Sequence, residues 1–286
     1  MREDSPSATA VAVALARGIA TLPARHPAPA PDPVASRMLH PGLGGLLDGL
    51  APLARRTRAV SWSLRAASLG LVDHVALRTA AIDAALRDAC ARDVPQIVLL
   101  GAGLDARAWR VPELAGRTVF EVDHPATQRL KRRRVAGLTP CAADLRFVSV
   151  DFTREDLAAR LGEEGHDASR PTFWIWEGVT MYLPVEASRA TLTALAGRSA
   201  PGSALAVTYA TTDDGLWFAR LSGPVRLAFR VLGEPLRGMT SPADFAALLE
   251  STGWTLRDDT GPPDWRRRFG YGAVLTIVER LAVAAI

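Results

Sequence analysis

Between residues 95 and 210 the chain repeats one pattern, a short apolar run followed by a helical stretch. The runs lie at 96–100, 117–122, 146–150, 172–176 and 204–209. Runs this short and this uniformly apolar predict strands buried on both faces. Helical periodicity fills the gaps at 106–114, 126–137, 154–161 and 185–199. Strand and helix in alternation imply right-handed crossovers, hence an α/β fold with a mostly parallel sheet covered on both faces. Ligands of such sheets bind at the carboxyl ends of the strands, so the residues just after each run are the functional candidates.

The flanks extend this frame. Residues 8–20 predict a helix, followed by a connector carrying Pro23, Pro27, Pro29, Pro31 and Pro33, in which a helix cannot propagate. Residues 34–91 are helical in pieces, with breaks near Pro41-Gly42 and Gly70. The division expected is an N-terminal helical cap over 1–94 and a sheet-containing core over 95–286. An insertion near 210–240, rich in Trp217, Phe218 and Phe229, interrupts that core. Beyond it, the pattern predicts a helix over 242–251, a strand over 254–257, a loop at Pro262-Pro263 and a last strand over 273–278. That order suits an antiparallel strand at the sheet edge. No internal repeat is present.

Composition excludes more than it assigns. At 286 residues the chain can bury roughly three quarters of its unfolded surface, so it needs no disulfide or metal staple. Its two cysteines, Cys90 and Cys141, are far apart and lack metal spacing, which points to a reducing, cytoplasmic setting. The first residues lack a basic signal-peptide region, and Arg17 breaks the apolar run that follows, so neither export nor a membrane span is expected. Of the 34 basic residues only Lys131 is lysine. The runs Lys131 to Arg134 and Arg266 to Arg268 are short and isolated, read as solvated surface rather than a nucleic-acid footprint. A phosphate-binding Gly-Lys-Ser/Thr loop, a Tyr-x-x-x-Lys pair, His-Glu-x-x-His and Gly-x-Ser-x-Gly are all absent.

The strand ends are where the chemistry concentrates. The first run leads into Gly101-Ala102-Gly103-Leu104-Asp105-Ala106, where glycines let a ligand approach the backbone. The second ends in Asp123-His124-Pro125. Its carboxylate can accept both ribose hydroxyls of an adenosine, or alternatively cap the following helix. The third ends in Asp151-Phe152, suited to an adenine amino group beside a ring edge, again with helix capping as the alternative. The fourth places Glu177 behind Phe173, Trp174 and Trp176, where a buried carboxylate without a partner would be costly and a cationic ligand would relieve the cost. A sulfonium ligand with adenosine and amino-acid parts would use all three acids.

These segments, together with Leu77-Arg78-Thr79-Ala80-Ala81-Ile82-Asp83 and Trp176-Glu177-Gly178-Val179-Thr180-Met181-Tyr182-Leu183, resemble the leucine carboxyl methyltransferase superfamily. A looser likeness begins at Thr9-Ala10 and includes Ala16-Arg17 and Asp32 to Ala35. The resemblance covers most of residues 8–210. It implies the class I methyltransferase fold, a Rossmann-like seven-stranded sheet, with S-adenosyl-L-methionine as cofactor. It also implies Arg78 against the methionine carboxylate, Gly101 and Gly103 under the methionine part, and Asp123 on the ribose. Asp151 and Phe152 would flank the adenine, and Glu177 would lie near the amino group. A surface ion pair with Asp83 is the alternative for Arg78. Ala106 stands where many relatives carry Thr, and the likeness fails at the connector and at 210–240, where an acceptor would be chosen.

Methyl transfer from sulfur is an in-line displacement that needs alignment more than a catalytic triad. The activity implied is O-methylation of a carboxylate or hydroxyl on a small molecule, such as a natural product. A hydroxyl acceptor would need a base. His74, one helical turn before Arg78, is the candidate, and Tyr182 and Tyr209 are candidates for the acceptor site. The alternatives are a nicotinamide dehydrogenase using the Gly-x-Gly-x-x-Ala turn and a non-catalytic relative that binds the cofactor. Oligomeric state is left open.

Overall fold

The computed structural model describes residues 8–151, 155–211, 237–272 and 279–286. Five helices precede the first strand: α1 (Ala8–Thr21), α2 (Ala35–Met38), α3 (Pro41–Arg56), α4 (Ala59–Ala67) and α5 (Leu71–Ala91). The break expected near Pro41-Gly42 falls at Leu39-His40, between α2 and α3, and Pro41 opens α3, where proline's missing N–H costs nothing. Helix α5 starts after Gly70, whose φ of 90° reverses the chain.

The alternating region follows as β1 (Gln96–Leu100), α6 (Arg107–Arg110), β2 (Thr118–Asp123), α7 (Pro125–Arg134), β3 (Asp144–Ser149), α8 (Leu157–Glu163), β4 (Thr172–Trp176), α9 (Val185–Gly197) and β5 (Ala204–Thr211). The helix expected over 106–114 shrinks to the single turn of α6, because Pro112 cannot continue it. The two-residue β6 (Met239–Thr240) runs beside the end of β5, and α10 (Pro242–Ser251), β7 (Thr255–Thr260), α11 (Pro262–Phe269) and β8 (Glu279–Ala285) complete the chain.

Two C-terminal expectations change. Pro262-Pro263 opens α11 rather than forming a loop, since the Asp264 carboxylate accepts the Gly261 amide and both prolines fall in the first turn. Residues 273–278 lie outside the described residues, and the last described strand is β8. That antiparallel strand is not at the edge. The order is β3-β2-β1-β4-β5-β8-β7, so β8 pairs antiparallel with both β5 and β7, and β7 is the edge. The main order runs through the seven strands expected, and the two-residue β6 pairs with β5 off that path.

Side-chain alternation divides the sheet cleanly. Ile97, Leu99, Val119, Phe173 and Ile175 face a core shared with α1, α3 and α5. Val98, Leu100, Phe120, Trp174 and Leu205 face the opposite core, filled by Leu157, Leu161, Leu192, Leu195 and Phe245. The N-terminal helices thus seal one sheet face, and α1 reaches the carboxyl end of β1.

Candidate cofactor site

At the end of β1 the chain turns with Gly101 at φ +61° and Gly103 at φ +47°, conformations that a Cβ would strain. Space is short as well. A Cβ on Gly101 would lie 2.8 Å from Val179 Cγ2, and one on Gly103 would lie 3.4 Å from the Cβ of Ala10 on α1. The Asp123 carboxylate, at the end of β2, accepts the amides of Gly103 and His124 and so ties the strand end to the turn. Helix capping does not explain this residue, since α7 is capped by His124, whose Nδ1 accepts the Ala126 amide at 3.3 Å. Burial pushes the Asp123 carboxyl above its ordinary range, against the pull of those two amides and of Lys131.

Asp151 follows β3. The helix α8 is capped by Asp156, so Asp151 is not its cap either. Phe152 lies outside the described residues.

Glu177, one residue past β4, is not the unpartnered carboxylate the sequence suggests. Three guanidiniums meet it: Arg17 of α1 at 2.8 Å, Arg78 of α5 at 2.9 Å and Arg107 of α6 at 2.6 Å. Burial alone would raise its pKa, but these cations hold it well below the usual carboxylate range. Arg78 also bonds Glu279 of β8 at 2.7 Å and is buried, so it is no surface pair with Asp83. Asp83 instead takes Arg107 at 2.8 Å and Arg110 at 2.6 Å. Arg107 also pairs with Asp105, and Arg17 approaches that carboxylate to 3.6 Å. The result is a buried lattice in which cations from the N-terminal helices and α6 face carboxylates from the strand ends.

His74 sits inside this lattice. Its Nε2 is 2.7 Å from Glu279, its ring tilts against Trp265, and its Nδ1 has no partner among the described residues. Glu279 is held down to about 2, with burial opposing and Arg78 and His74 prevailing. Tyr182 is half-buried on the short 3₁₀ turn Thr180–Tyr182, the first element after Glu177. Tyr209 is fully buried, stacked on Phe245 with its hydroxyl donating to Asp259 at 2.7 Å, so it lines no open site. Gly101, Gly103 and Asp123 therefore form one group, and His74, Arg78 and Glu177 form another. Asp105 and Arg107 join the two. Sequence reasoning missed Arg17, Arg107 and Glu279 as parts of the site. The available signal was a lone arginine inside the Ala/Val-rich α1.

The basic run on α7 also departs from expectation. Arg132 and Arg133 are exposed, but Lys131 is buried against Glu121 at 2.7 Å. Arg266 to Arg268 are exposed as expected. Among the described residues no cluster of His, Cys, Asp and Glu could hold a metal ion, and no helix is long and apolar enough to cross a membrane.

Comparison with known proteins decides the family. The leucine carboxyl methyltransferase model matches residues 10–196. The chain belongs to this family. A Mycobacteroides abscessus relative, described as a proposed S-adenosyl-L-methionine-dependent methyltransferase, is 36% identical over 214 residues, 73% of this chain and 66% of that protein. A Mycobacterium ulcerans protein of the same description is 47% identical over 135 residues, 47% of this chain and 43% of its own length. The chain spans about half the length of the first curated relatives it matches. Among solved structures, a Thermobifida fusca protein described as a proposed methyltransferase superposes with a TM-score of 0.52 at 18% identity, covering 76% of this chain and 82% of that one. The fold of this leucine carboxyl methyltransferase family member is that of the class I methyltransferases. The antiparallel β8 between β5 and β7 departs from the strand order of the dinucleotide sheet that the dehydrogenase alternative would use.

Proposed function

We propose that the protein binds S-adenosyl-L-methionine across the carboxyl ends of β1, β2 and β4 and transfers its methyl group to a carboxylate or hydroxyl of a small molecule. One observation carries this reading: guanidiniums of Arg17 and Arg78 and the carboxylate of Glu177 lie side by side, next to a glycine turn bonded to Asp123. Such a set matches a zwitterionic amino-acid tail joined to a ribose, because fixed charges of both signs meet a ligand carrying both. Family membership supports the same cofactor.

When bound, that cofactor supplies an activated methyl group on a sulfonium. The chain's own residues would bind and orient. Asp123 would accept the ribose hydroxyls, Gly101 and Gly103 would admit the methionine part, and Asp151 and Phe152 would flank the adenine. Arg78 and Glu177 would take the tail. Alignment of this kind is worth roughly 7–11 kcal/mol, enough to dispense with covalent catalysis. Of the two candidate catalytic side chains, Tyr182 follows β4 on the turn after Glu177. His74 bonds the carboxylate that also holds Arg78, so its proposed part is to fix that pair. We read residues 1–94 as the cap over this site and 95–286 as the core. The proposed setting is the cytoplasm, in keeping with free Cys90 and Cys141.

Calorimetric titration with S-adenosylhomocysteine, run against NADH, tests the cofactor. Micromolar binding of the first alone is expected, and binding of NADH alone would overturn the reading. Methyl transfer from labelled cofactor to panels of small carboxylates and hydroxyls then separates the two acceptor classes.

A further inference from the structure

The corner where α3 meets α4 is packed on one side only. A Cβ on Gly18 of α1 would collide with Leu47, and one on Gly44 would collide with the Ser36 carbonyl of α2, so that face of α3 is closed. On α4 the Ser61 hydroxyl donates to the Pro23 carbonyl of the connector, and Arg65 reaches Asp73 on α5 and lies over the Tyr271 ring. These contacts fix which way both helices face. Trp62, next to Ser61, is turned outward and is 71% exposed, and Leu69, just past α4, is 78% exposed. Leu46 and Leu53, seven residues apart and so on one side of α3, are 61% and 46% exposed. Among the described residues six large hydrophobics are exposed, and these four fall within residues 46–69.

The corner itself is basic. Arg55, Arg56 and Arg58 stand between Leu53 and Trp62 and are exposed. Arg17 and Arg78 of the neighbouring helices are bound to carboxylates, whereas no ion pair holds any of these three among the described residues. Over residues 41–70 the chain has four arginines and one acid, Asp48.

We propose that the α3–α4 corner docks the protein peripherally on an anionic lipid surface, with Leu53 and Trp62 entering the acyl boundary and Arg55, Arg56 and Arg58 on the headgroup phosphates. Protruding leucine and tryptophan flanked by arginine match that boundary, since the indole and guanidinium settle at headgroup level while the aliphatic chains go deeper. In the proposed cytoplasmic setting the anionic leaflet is the one within reach. A second copy of the chain fits the patch less well, because a two-fold interface would set the arginine corner against itself. Docking here does not depend on what the strand ends bind.

The test is sedimentation of the full chain with phosphatidylcholine vesicles and with vesicles of mixed phosphatidylcholine and phosphatidylglycerol, in about 0.1 M and about 0.5 M salt. Wild type should bind the mixed vesicles alone, and more weakly at the higher salt. Each arginine at such a surface strengthens binding about fivefold, so Arg56→Glu/Arg58→Glu should weaken it at least about 25-fold. Trp62→Ser/Leu69→Asn should weaken it at least about tenfold by removing inserted apolar area. Asparagine suits position 69, where φ is 49°. The charge-matched Arg170→Glu/Arg189→Glu, outside the N-terminal helices, should bind as wild type does. All six positions are exposed, so circular dichroism should show each variant folded, and should one patch variant fail to fold, the other decides. Wild type that ignores the mixed vesicles, or patch variants that bind no more weakly than the Arg170/Arg189 control, would overturn the proposal. So would a wild-type dimer in sedimentation velocity that binds no vesicles and that Trp62→Ser/Leu69→Asn dissociates, since the patch would then belong to a second copy.

Discussion

Replacing Arg107 by methionine tests whether the buried charge lattice holds the fold as the geometry implies. The guanidinium is fully buried and contacts three carboxylates: Asp83 at 2.8 Å, Glu177 at 2.6 Å, and Asp105. The loss is not three pairs deep. Asp83 keeps Arg110 through two bonds, and Glu177 keeps Arg17 and Arg78. Among the described residues, Asp105 keeps Arg17 at 3.6 Å, the backbone amide of residue 107 and the more distant charge of Lys131. One carboxylate is therefore left without its main cation, and stranding one buried charge costs about 3–5 kcal/mol. For a chain of this size, 1 kcal/mol moves the midpoint by roughly 2–4 °C, so a fall of about 10 °C in Tm is expected. Thermal and urea unfolding followed by circular dichroism would measure it. Adding Asp105→Asn should recover a good part of the loss, because the stranded charge disappears. A Tm within about 3 °C of wild type, or no recovery in the double variant, would refute the claim that Asp105 depends on Arg107.

Asp123→Ala should weaken S-adenosylhomocysteine binding at least about tenfold with the far-UV spectrum unchanged, since a charged acceptor of hydroxyl donors is worth roughly 1.5–3 kcal/mol. Gly101→Ala should destabilise by at least about 1–2 kcal/mol from its positive φ alone. Val179→Ala in that background should relieve only the steric part, which denaturant midpoints can separate. Glu279 is held down to about 2 in the folded state, below its ordinary value of 4.5. A lowered folded pKa contributes stability that is present above 4.5 and lost as pH falls toward 2. Wild type should therefore lose stability between pH 5 and 2.5 more steeply than Glu279→Gln, measured by urea midpoints across that range.

What the sequence made legible was local. Strands β1, β2, β4 and β5 showed as isolated apolar runs because both their faces are buried, whereas β3, at the sheet edge, is mostly half-buried. The turn at Gly101 and Gly103 showed because its backbone demands glycine. Asp123 and Glu177 showed by standing at strand ends. The partners of those acids were hidden for a physical reason: Arg17 meets Glu177 across 160 residues and His74 meets Glu279 across 205. No short-range periodicity encodes such pairs. Lys131 was misread because its neighbours Arg132 and Arg133 are solvated, and a run of like charges conceals the one member whose helix face turns inward. Pro262-Pro263 was misread because proline marks a helix start as readily as a loop.

The insertion of β8 between β5 and β7 has a consequence for the timing of folding. The strand that supplies Glu279 follows β7 in the chain, yet it lies between β5 and β7 in the sheet. Arg78 and Glu279 are 201 residues apart. At roughly 5–20 residues per second, the α5 cation waits about 10–40 seconds for its counter-charge to leave the ribosome. Until then the seam between β5 and β7 is open, and α5 carries buried-type charges with half their partners missing. Completion of this sheet thus waits for β8, and until it emerges the nascent chain carries β5 without its antiparallel neighbour.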